Sequence, residues 1–359
     1  MARKTVAKRT AKPDPKKVHK DAILVDGMGV AVLLPTALIS QPASNRGVPF
    51  LDRAIESGVT SMNVCLGILG IGMGEDNFRA MVNTMYGHYC LFEMEPRLIH
   101  VLTGDDVRRA KREKKIGVIF GCQGMASKIE GDPGLIAILH RLGQRIGQIA
   151  YNSRDAIGCG ALEEPDTGLT EFGRIVIREM NHVGMLVDLA HASHNTLMET
   201  IERSTAPVIV SHANVRALCN HTRNLTDEGL RALADCGGVV GITAYSPFCE
   251  TTPGVRPKLD DYMDHVAYVA DLVGVDHVGI GSDFFEGESN IRFERFFRTR
   301  YPELIRNYVL ETVYVDGFSK VDHLPKLTAG LLRRGFAPAE VKKILGGNFL
   351  RVFDQVWKA

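Results

Sequence analysis

Eight short apolar runs, most of them rich in β-branched residues, recur along this chain and are separated by longer segments. Alternating strands and helices predict βα units whose strands lie parallel in one sheet. Eight such units can close into a (β/α)8 TIM barrel, and a chain of 359 residues accommodates that barrel as one domain. The eight predicted strands cover residues 22–25, 61–66, 116–121, 145–150, 184–189, 207–211, 238–243 and 277–281.

Amphipathic segments of helical length lie between these runs and continue after the last one. The predicted helices cover residues 50–57, 75–94, 133–142, 169–182, 194–203, 227–234, 260–272, 324–335, 338–345 and 347–357. The last three predict a C-terminal helical extension of a single barrel domain over residues 21–359. Residues 286–320 are aromatic and charged without a clear period, which predicts an irregular segment over the barrel mouth.

Composition narrows the functional classes. Apolar residues make up 45% of the chain and charged residues 24%, which is usual for a soluble globular protein. The formal net charge of +1 gives no global reason to expect nucleic acid as a partner. No apolar run approaches the roughly 20 residues that span a bilayer. Seven cysteines without a CxxC pair predict free thiols in a reducing, cytoplasmic compartment.

The first 20 residues form a basic segment. They hold eight Lys or Arg and one Asp, with no interleaved aromatic residues and no apolar run of the kind found in signal peptides. We expect residues 1–20 to be a disordered basic tail that aids solubility.

Active sites of such barrels are built from side chains at the carboxyl ends of the strands. His191 follows the apolar run GMLVDLA, and His212 follows APVIVS one helix-length segment later. Two imidazoles at neighbouring strand ends are typical of metal ligands. The other residues at strand ends are Met28, Val30, Cys65, Gln123, Tyr151, Tyr245 and Asp283.

Four long segments resemble the membrane (renal-type) dipeptidase family of metal-dependent (β/α)8-barrel hydrolases. They are FGRIVIREMNHVGMLVDLAHAS, APVIVSHANVRALCNHTRN, VDHVGIGSDF and LTAGLLRRGFAPAEVKKILGGNFLRVF, and the resemblance covers most of residues 20–358. It implies an α/β metallo-dependent hydrolase fold and cleavage of dipeptides at a two-metal centre.

The chain departs from that family's ligand pattern. The family's first strand ends in a His-x-Asp pair, which is replaced here by Met28 and Val30. Gln123 stands where the family has a Glu that bridges the two metals, and Tyr151 stands where it has a His. The positions that match are His191, His212, Asp283 and the Arg of the His-x-Arg-Asn motif, here Arg223.

These departures predict one divalent ion rather than two. Loss of an Asp and a Glu removes two negative charges, so a second ion would face an apolar wall with little compensation. We expect at most one divalent ion, zinc, held by His191 and His212, with Gln123 as a weak third ligand and water or Asp283 completing the set.

The resemblance also implies roles for the remaining side chains. Asp283 would transfer the proton, Tyr151 would donate to the oxyanion, and Arg223 would bind a substrate carboxylate. Asn152 and Tyr245 are further candidate substrate-binding residues. The expected substrate is a small amide or dipeptide-like carboxylate, and a homodimer is left open.

Two other functions stay open from the sequence. One is a non-hydrolytic mononuclear metal enzyme such as a decarboxylase or lyase. The other is a catalytically inactive relative that binds a ligand. A serine hydrolase is disfavoured, because Ser153, Ser193 and Ser211 show no His/Asp relay separate from the metal site.

Overall fold

The computed structural model describes residues 12–30, 49–66, 76–284, 286, 297–299 and 301–357. Its single sheet contains nine strands. They are β1 Val25–Val30, β2 Ser61–Cys65, β3 Leu98–Val101, β4 Ile116–Cys122, β5 Gln144–Gln148, β6 Leu186–Asp188, β7 Ile209–Ala213, β8 Val239–Ile242 and β9 Val278–Ile280.

Eight of these strands close into a parallel barrel. They follow the order β2-β1-β9-β8-β7-β6-β5-β4, and pairing of β2 with β4, with Ser61 opposite Gly117, completes the circle. Strand β3 pairs with the first half of β4 as an additional strand, with Leu98 opposite Ile116. The predicted (β/α)8 barrel is therefore confirmed, although β3 was missed.

Helices surround the barrel. They are α1 Pro15–Asp21, α2 Phe50–Glu56, α3 Phe78–Met94, α4 Gly104–Glu113, α5 Met125–Ile129, α6 Gly134–Arg141, α7 Glu171–Val183, α8 His194–Arg203, α9 Asp227–Asp235, α10 Ser246–Cys249, α11 Leu259–Val273, α12 Pro302–Ile305, α13 Leu324–Arg333, α14 Pro338–Lys342 and α15 Asn348–Val356. A π-helical segment, Lys343–Gly347, joins the last two. The predicted irregular segment at 286–320 lies partly outside the described residues, and α12 is a short helix within it.

The predicted disordered tail, residues 1–20, extends too far into the chain, because a helix begins at Pro15. Asp14 caps α1 by accepting a hydrogen bond from the backbone nitrogen of Lys16 at 3.0 Å. On the inner face of α1, the ring of His19 hydrogen-bonds Thr328 Oγ1 at 2.6 Å and Ser57 O at 2.9 Å. Residues 15–20 are therefore helical and packed, whereas residues 1–11 lie outside the described part of the chain.

The first strand also lies further along the chain than predicted. The predicted strand ended at residue 25, but Gly27 and Gly29 both lie within β1. A Cβ on Gly27 would stand 2.6 Å from Phe349 Cζ and 2.8 Å from Ser211 O. Glycine is therefore required at position 27 by close packing in the barrel rather than by a turn.

The C-terminal helix α15 seals the barrel at the amino ends of its strands. Phe349, Phe353 and Trp357 pack in one buried cluster with residues from seven of the strands: Val25, Val101, Ile119, Ile146, Leu186, Ile209 and Val239. Phe349 packs against two neighbouring strands, β1 and β9, because a Cβ on Gly279 would also stand 2.6 Å from its ring. The predicted helical extension thus completes the core.

Replacing Phe349 with Ala is expected to lower the free energy of unfolding by about 3–5 kcal/mol, because the ring is fully buried and leaves a cavity between strands. Equilibrium urea unfolding measures this change. Met94→Ala serves as the control, since Met94 is 75% exposed, and its effect should stay within about 0.5 kcal/mol. Equal stability of the two variants would contradict the sealing role.

Two further observations concern membrane-spanning helices and the cysteines. Within the described ranges, none of the helices combines the length and apolar character that crossing a bilayer requires. All seven cysteines are free, as the sequence predicted.

Candidate active site

The two histidines predicted as metal ligands meet at the mouth of the barrel. His191 follows β6 in a left-handed backbone conformation with φ 65°, and His212 lies in β7. Their Nε2 atoms are 2.8 Å apart, and both side chains are buried. Asn152 and Asp283 also have positive φ, at 56° each. Such uncommon conformations in non-glycine residues cluster at functional sites.

Hydrogen bonds at the opposite ring nitrogens determine the tautomer of both histidines. Ser211 Oγ donates to Asp188 Oδ2 at 2.6 Å, so it can only accept from His212 Nδ1, 2.9 Å away. Asn152 Oδ1 accepts from His191 Nδ1 at 2.7 Å. Both rings therefore carry their proton on Nδ1 and direct an Nε2 lone pair toward the other ring.

Two lone pairs at this separation repel each other unless a cation lies between or beside them. A proton is disfavoured, since burial and the positive charge of Arg223 lower the pKa of both rings well below the usual value. A divalent ion satisfies both nitrogens without protonation. The pair is thus suited to hold one metal ion.

Gln123 and Met28 approach each other inside the barrel. Gln123 follows β4 and is 2% exposed, with its Nε2 4.0 Å from Met28 Sδ. Its Oε1 is buried and has no hydrogen-bond partner among the described residues, so it is free to contact an ion or a substrate. The backbone oxygen of Gln123 accepts from Lys128 Nζ at 2.8 Å, which fixes this strand end.

The side chain of Met28 offers a divalent ion no charged ligand. Met28 is 1% exposed, and its thioether stands at the first of the two family ligand positions on β1. Val30, at the second position, belongs to β1, but its side chain is not among those that the structure describes. The described residues contain no cluster of three or more His, Cys, Asp or Glu side chains able to hold a metal. The available donors near the histidines are an amide oxygen and the carboxylate of Asp283.

Asp283 follows β9, and its backbone is fixed on both sides. Its nitrogen donates to Met28 O at 2.7 Å, and its carbonyl oxygen accepts from Tyr314 Oη at 2.7 Å. Burial raises the pKa of the Asp283 carboxyl to about 7, while Arg223 acts in the opposite direction. A carboxyl with such a pKa can both accept and return a proton near neutral pH.

Several buried hydrogen-bond donors lie beside Asp283. Arg223 is 3% exposed, and its Nε and Nη2 have no partner among the described residues. The Tyr245 hydroxyl and Asn152 Nδ2 are also buried without a hydrogen-bond partner among the described residues. Burial lowers the pKa of Arg223 to about 10, so the guanidinium stays charged at neutral pH. Unsatisfied donors around a cation suit a carboxylate ligand.

Tyr151 stands against the metal-site histidines. Its ring stacks on His191 with centroids 4.2 Å apart, and Tyr301 approaches its edge at 6.2 Å. Burial raises the pKa of Tyr151 far above its ordinary value, so its hydroxyl remains a proton donor.

The structure brings His191 into contact with His212, Asn152 and Tyr151, and it adds residues that the sequence did not suggest. Asp188 and Ser211 orient His212, and Asp26 accepts from the backbone nitrogen of Ser282 at 2.8 Å next to Asp283. The only signal in the sequence was a polar residue shortly before each histidine, in VDLAH and VSH. The Ser211 hydroxyl lies between Asp188 and His212, where it holds the His212 ring in place.

The chain is similar in sequence to known proteins. The membrane dipeptidase family (peptidase family M19) matches residues 55–310 and 307–359. Dipeptidase tcpJ of Claviceps purpurea (strain 20.1) is 31% identical over 254 residues, which are 70% of this chain but only 54% of that protein.

Solved structures extend the likeness to the whole fold. An amidohydrolase from Pseudomonas aeruginosa is 33% identical, with a TM-score of 0.83 over 96% of this chain and 99% of the other. A metallo peptidase from Rhodobacter sphaeroides, liganded with a phosphinate mimic of L-Ala-D-Ala, is 20% identical, with a TM-score of 0.78 over 94% of this chain and 100% of the other. That second likeness concerns the fold alone. The family match covers most of the chain, and the protein belongs to the membrane dipeptidase family.

Proposed function

We propose that this protein is a metal-dependent hydrolase that cleaves the amide bond of a small, dipeptide-like carboxylate with a single metal ion. The observation that carries the proposal is the close approach of His191 Nε2 and His212 Nε2, which are 2.8 Å apart. The guanidinium of Arg223, which is buried and has unsatisfied donors, belongs to the same site. The first feature suits a cation and the second a carboxylate.

The ion would be zinc, held by His191 and His212 with the amide oxygen of Gln123 or the carboxylate of Asp283. Neutral imidazoles with an oxygen donor form a typical zinc set. A bound divalent ion supplies Lewis acidity to the substrate carbonyl and lowers the pKa of nearby water toward about 7. Asp188, through Ser211, and Asn152 keep both rings in the tautomer that such an ion needs.

The side chains around the ion divide the remaining work. Asp283 takes a proton from the attacking water and returns it to the leaving amine, which its pKa of about 7 allows. Tyr151, whose pKa burial raises, donates to the developing oxyanion. Arg223 holds the substrate carboxylate, with Tyr245 and Asn152 Nδ2 as further donors.

The named relatives favour hydrolysis over lyase or decarboxylase chemistry. The two most informative are called a dipeptidase and an amidohydrolase, and both descriptions concern hydrolysis of C–N bonds. Turnover of a mixed library of dipeptides and N-acyl amino acids, with and without added metal, tests the proposal. Hydrolysis that depends on metal supports it, whereas binding of library members without turnover favours an inactive relative.

Protein purified without chelator is expected to contain at most one equivalent of divalent ion per chain, mainly zinc. The reason is the apolar Met28 wall, which leaves a second ion without charge compensation. Elemental analysis by plasma mass spectrometry measures the stoichiometry. The double variant His191→Asn/His212→Asn should lose the ion and provides the control. Two equivalents per chain in the unmodified protein would contradict the charge argument.

Simple L,L-dipeptides are expected to be poor substrates compared with carboxylates that carry an apolar or aromatic body. Met28 makes one half of the pocket apolar, while Arg223 still binds the carboxylate. Steady-state kinetics on Ala-Ala and on N-acyl amino acids would compare the two classes. Hydrolysis of L,L-dipeptides with kcat/KM near about 10⁵ M⁻¹s⁻¹ or above would show this expectation to be wrong.

A reducing, cytoplasmic compartment is part of the same proposal. It rests on the seven free cysteines. A homodimer stays a prediction, which sedimentation velocity measures directly.

A further inference from the structure

A cavity lies at the end of the barrel opposite the candidate active site. Its volume is about 900 Å³, and α1, α2, the end of α4 and the start of α13 line it. Gly58, Val59 and Thr60 in its lining directly precede β2, and Lys114 and Lys115 precede β4. These positions place the cavity at the amino ends of the strands, away from His191 and His212.

The lining is strongly basic. It includes Lys16, Lys20, Lys111, Lys114, Lys115 and Lys326 but only two acidic residues, Asp14 and Glu56. One of the lysines, Lys115, forms an ion pair with Glu113 at 3.0 Å, and the other five have none with any residue that the structure describes. Burial lowers the pKa of the Lys111 ammonium, while the charge of Asp21 acts in the opposite direction and Lys342 adds to the lowering.

Local helix electrostatics explain only part of this charge. Lys111 lies in the last turn of α4, where a cation interacts favourably with the helix C-terminus. Lys326 has no such role, because it lies in the first turn of α13, where the helix itself carries partial positive charge. Lysines from several parts of the fold thus line one space, to which an anion would be attracted.

The walls and floor of the cavity are apolar and preorganised. Side chains of Ile55, Val59, Pro325 and Ala329 line it between the lysines. His19 fixes the floor, since its ring bonds Thr328 on α13 and the backbone oxygen of Ser57 after α2. A volume of this size is typical of sites for small molecules.

We propose that this cavity is a binding site for a soluble phosphate ester with a compact apolar or aromatic body, the chemistry of a nucleotide. The lysines hold the phosphates, and the apolar walls hold the body. Lysine ammonium groups serve as point-charge ligands for phosphate. This site is independent of the proposed hydrolase activity.

Isothermal titration calorimetry of the full chain with ATP, pyrophosphate and adenosine tests the site. ATP should bind more tightly than either fragment, because only ATP uses both the lysines and the apolar walls. The double variant Lys114→Gln/Lys326→Gln changes two exposed lysines on different walls. It is expected to weaken ATP binding by about tenfold or more, with an unchanged thermal unfolding midpoint.

Lys12→Gln/Lys17→Gln is the matched control. It removes the same charge from exposed positions that flank the cavity but do not line it, so ATP affinity should stay within about twofold. The proposal is overturned if ATP does not bind at about 1 mM, or if both double variants weaken it equally. It is also overturned if pyrophosphate or adenosine alone binds as tightly as ATP.

Discussion

Replacing Asp283 with Asn is expected to lower kcat by about three orders of magnitude while the metal content stays nearly unchanged. The amide has almost the same shape as the carboxylate but cannot accept the proton of the attacking water at neutral pH. Its backbone contacts to Met28 and Tyr314 do not involve the side chain, so the loop should keep its conformation.

Steady-state kinetics and elemental analysis on the same preparation measure the two quantities. Asp105→Asn is a suitable control, because its side chain is 90% exposed and lies on α4, far from the barrel mouth. Unaltered turnover by Asp283→Asn would remove Asp283 from the chemistry. Loss of the metal together with activity would instead make Asp283 a ligand.

Replacing Arg223 with Met is expected to lower kcat/KM for a carboxylate substrate by about 10²- to 10³-fold. A buried guanidinium that binds a carboxylate typically contributes a few kcal/mol, and thioether packing against Phe248 cannot replace it. The unliganded protein should lose little stability, since Nε and Nη2 of Arg223 have no partner among the described residues.

A substrate with an amidated C-terminus separates recognition of the carboxylate from general damage to the site. The unmodified protein should hydrolyse this neutral analogue slowly, and Arg223→Met should hydrolyse it at nearly the same rate as the unmodified protein. An equal drop on both substrates would show that Arg223 acts by another route, for example by lowering the pKa of the two histidines.

The proximity of His191 and His212 could be predicted from sequence because their signal is local. Each follows an apolar run, and parallel strands bring their carboxyl ends to one edge. Residues that orient them have no such signal. Asp188 meets Ser211 only because β6 and β7 are neighbours, and Asn152 reaches His191 only through a loop with left-handed backbone at both positions.

The sequence prediction missed helix α4 and strand β3, whose hydropathy patterns are weak. Helix α4 buries Gly104, Val107 and Ala110 and is otherwise charged, so its sequence resembles a solvated loop. Its start is marked instead by the capping box of Thr103 and Asp106. Strand β3 has only four residues and pairs on one side, with β4.

The sealing helix α15 has a consequence for how the protein forms. Its aromatic side chains contact β1, which lies more than 300 positions earlier in the chain. Contacts at such large sequence separation form late, because closing a long loop costs conformational entropy before the contact contributes any stabilising free energy. A ribosome-bound chain that ends before residue 348 would present an open apolar barrel end to its surroundings. Chaperone dependence during synthesis should therefore fall sharply once α15 has emerged.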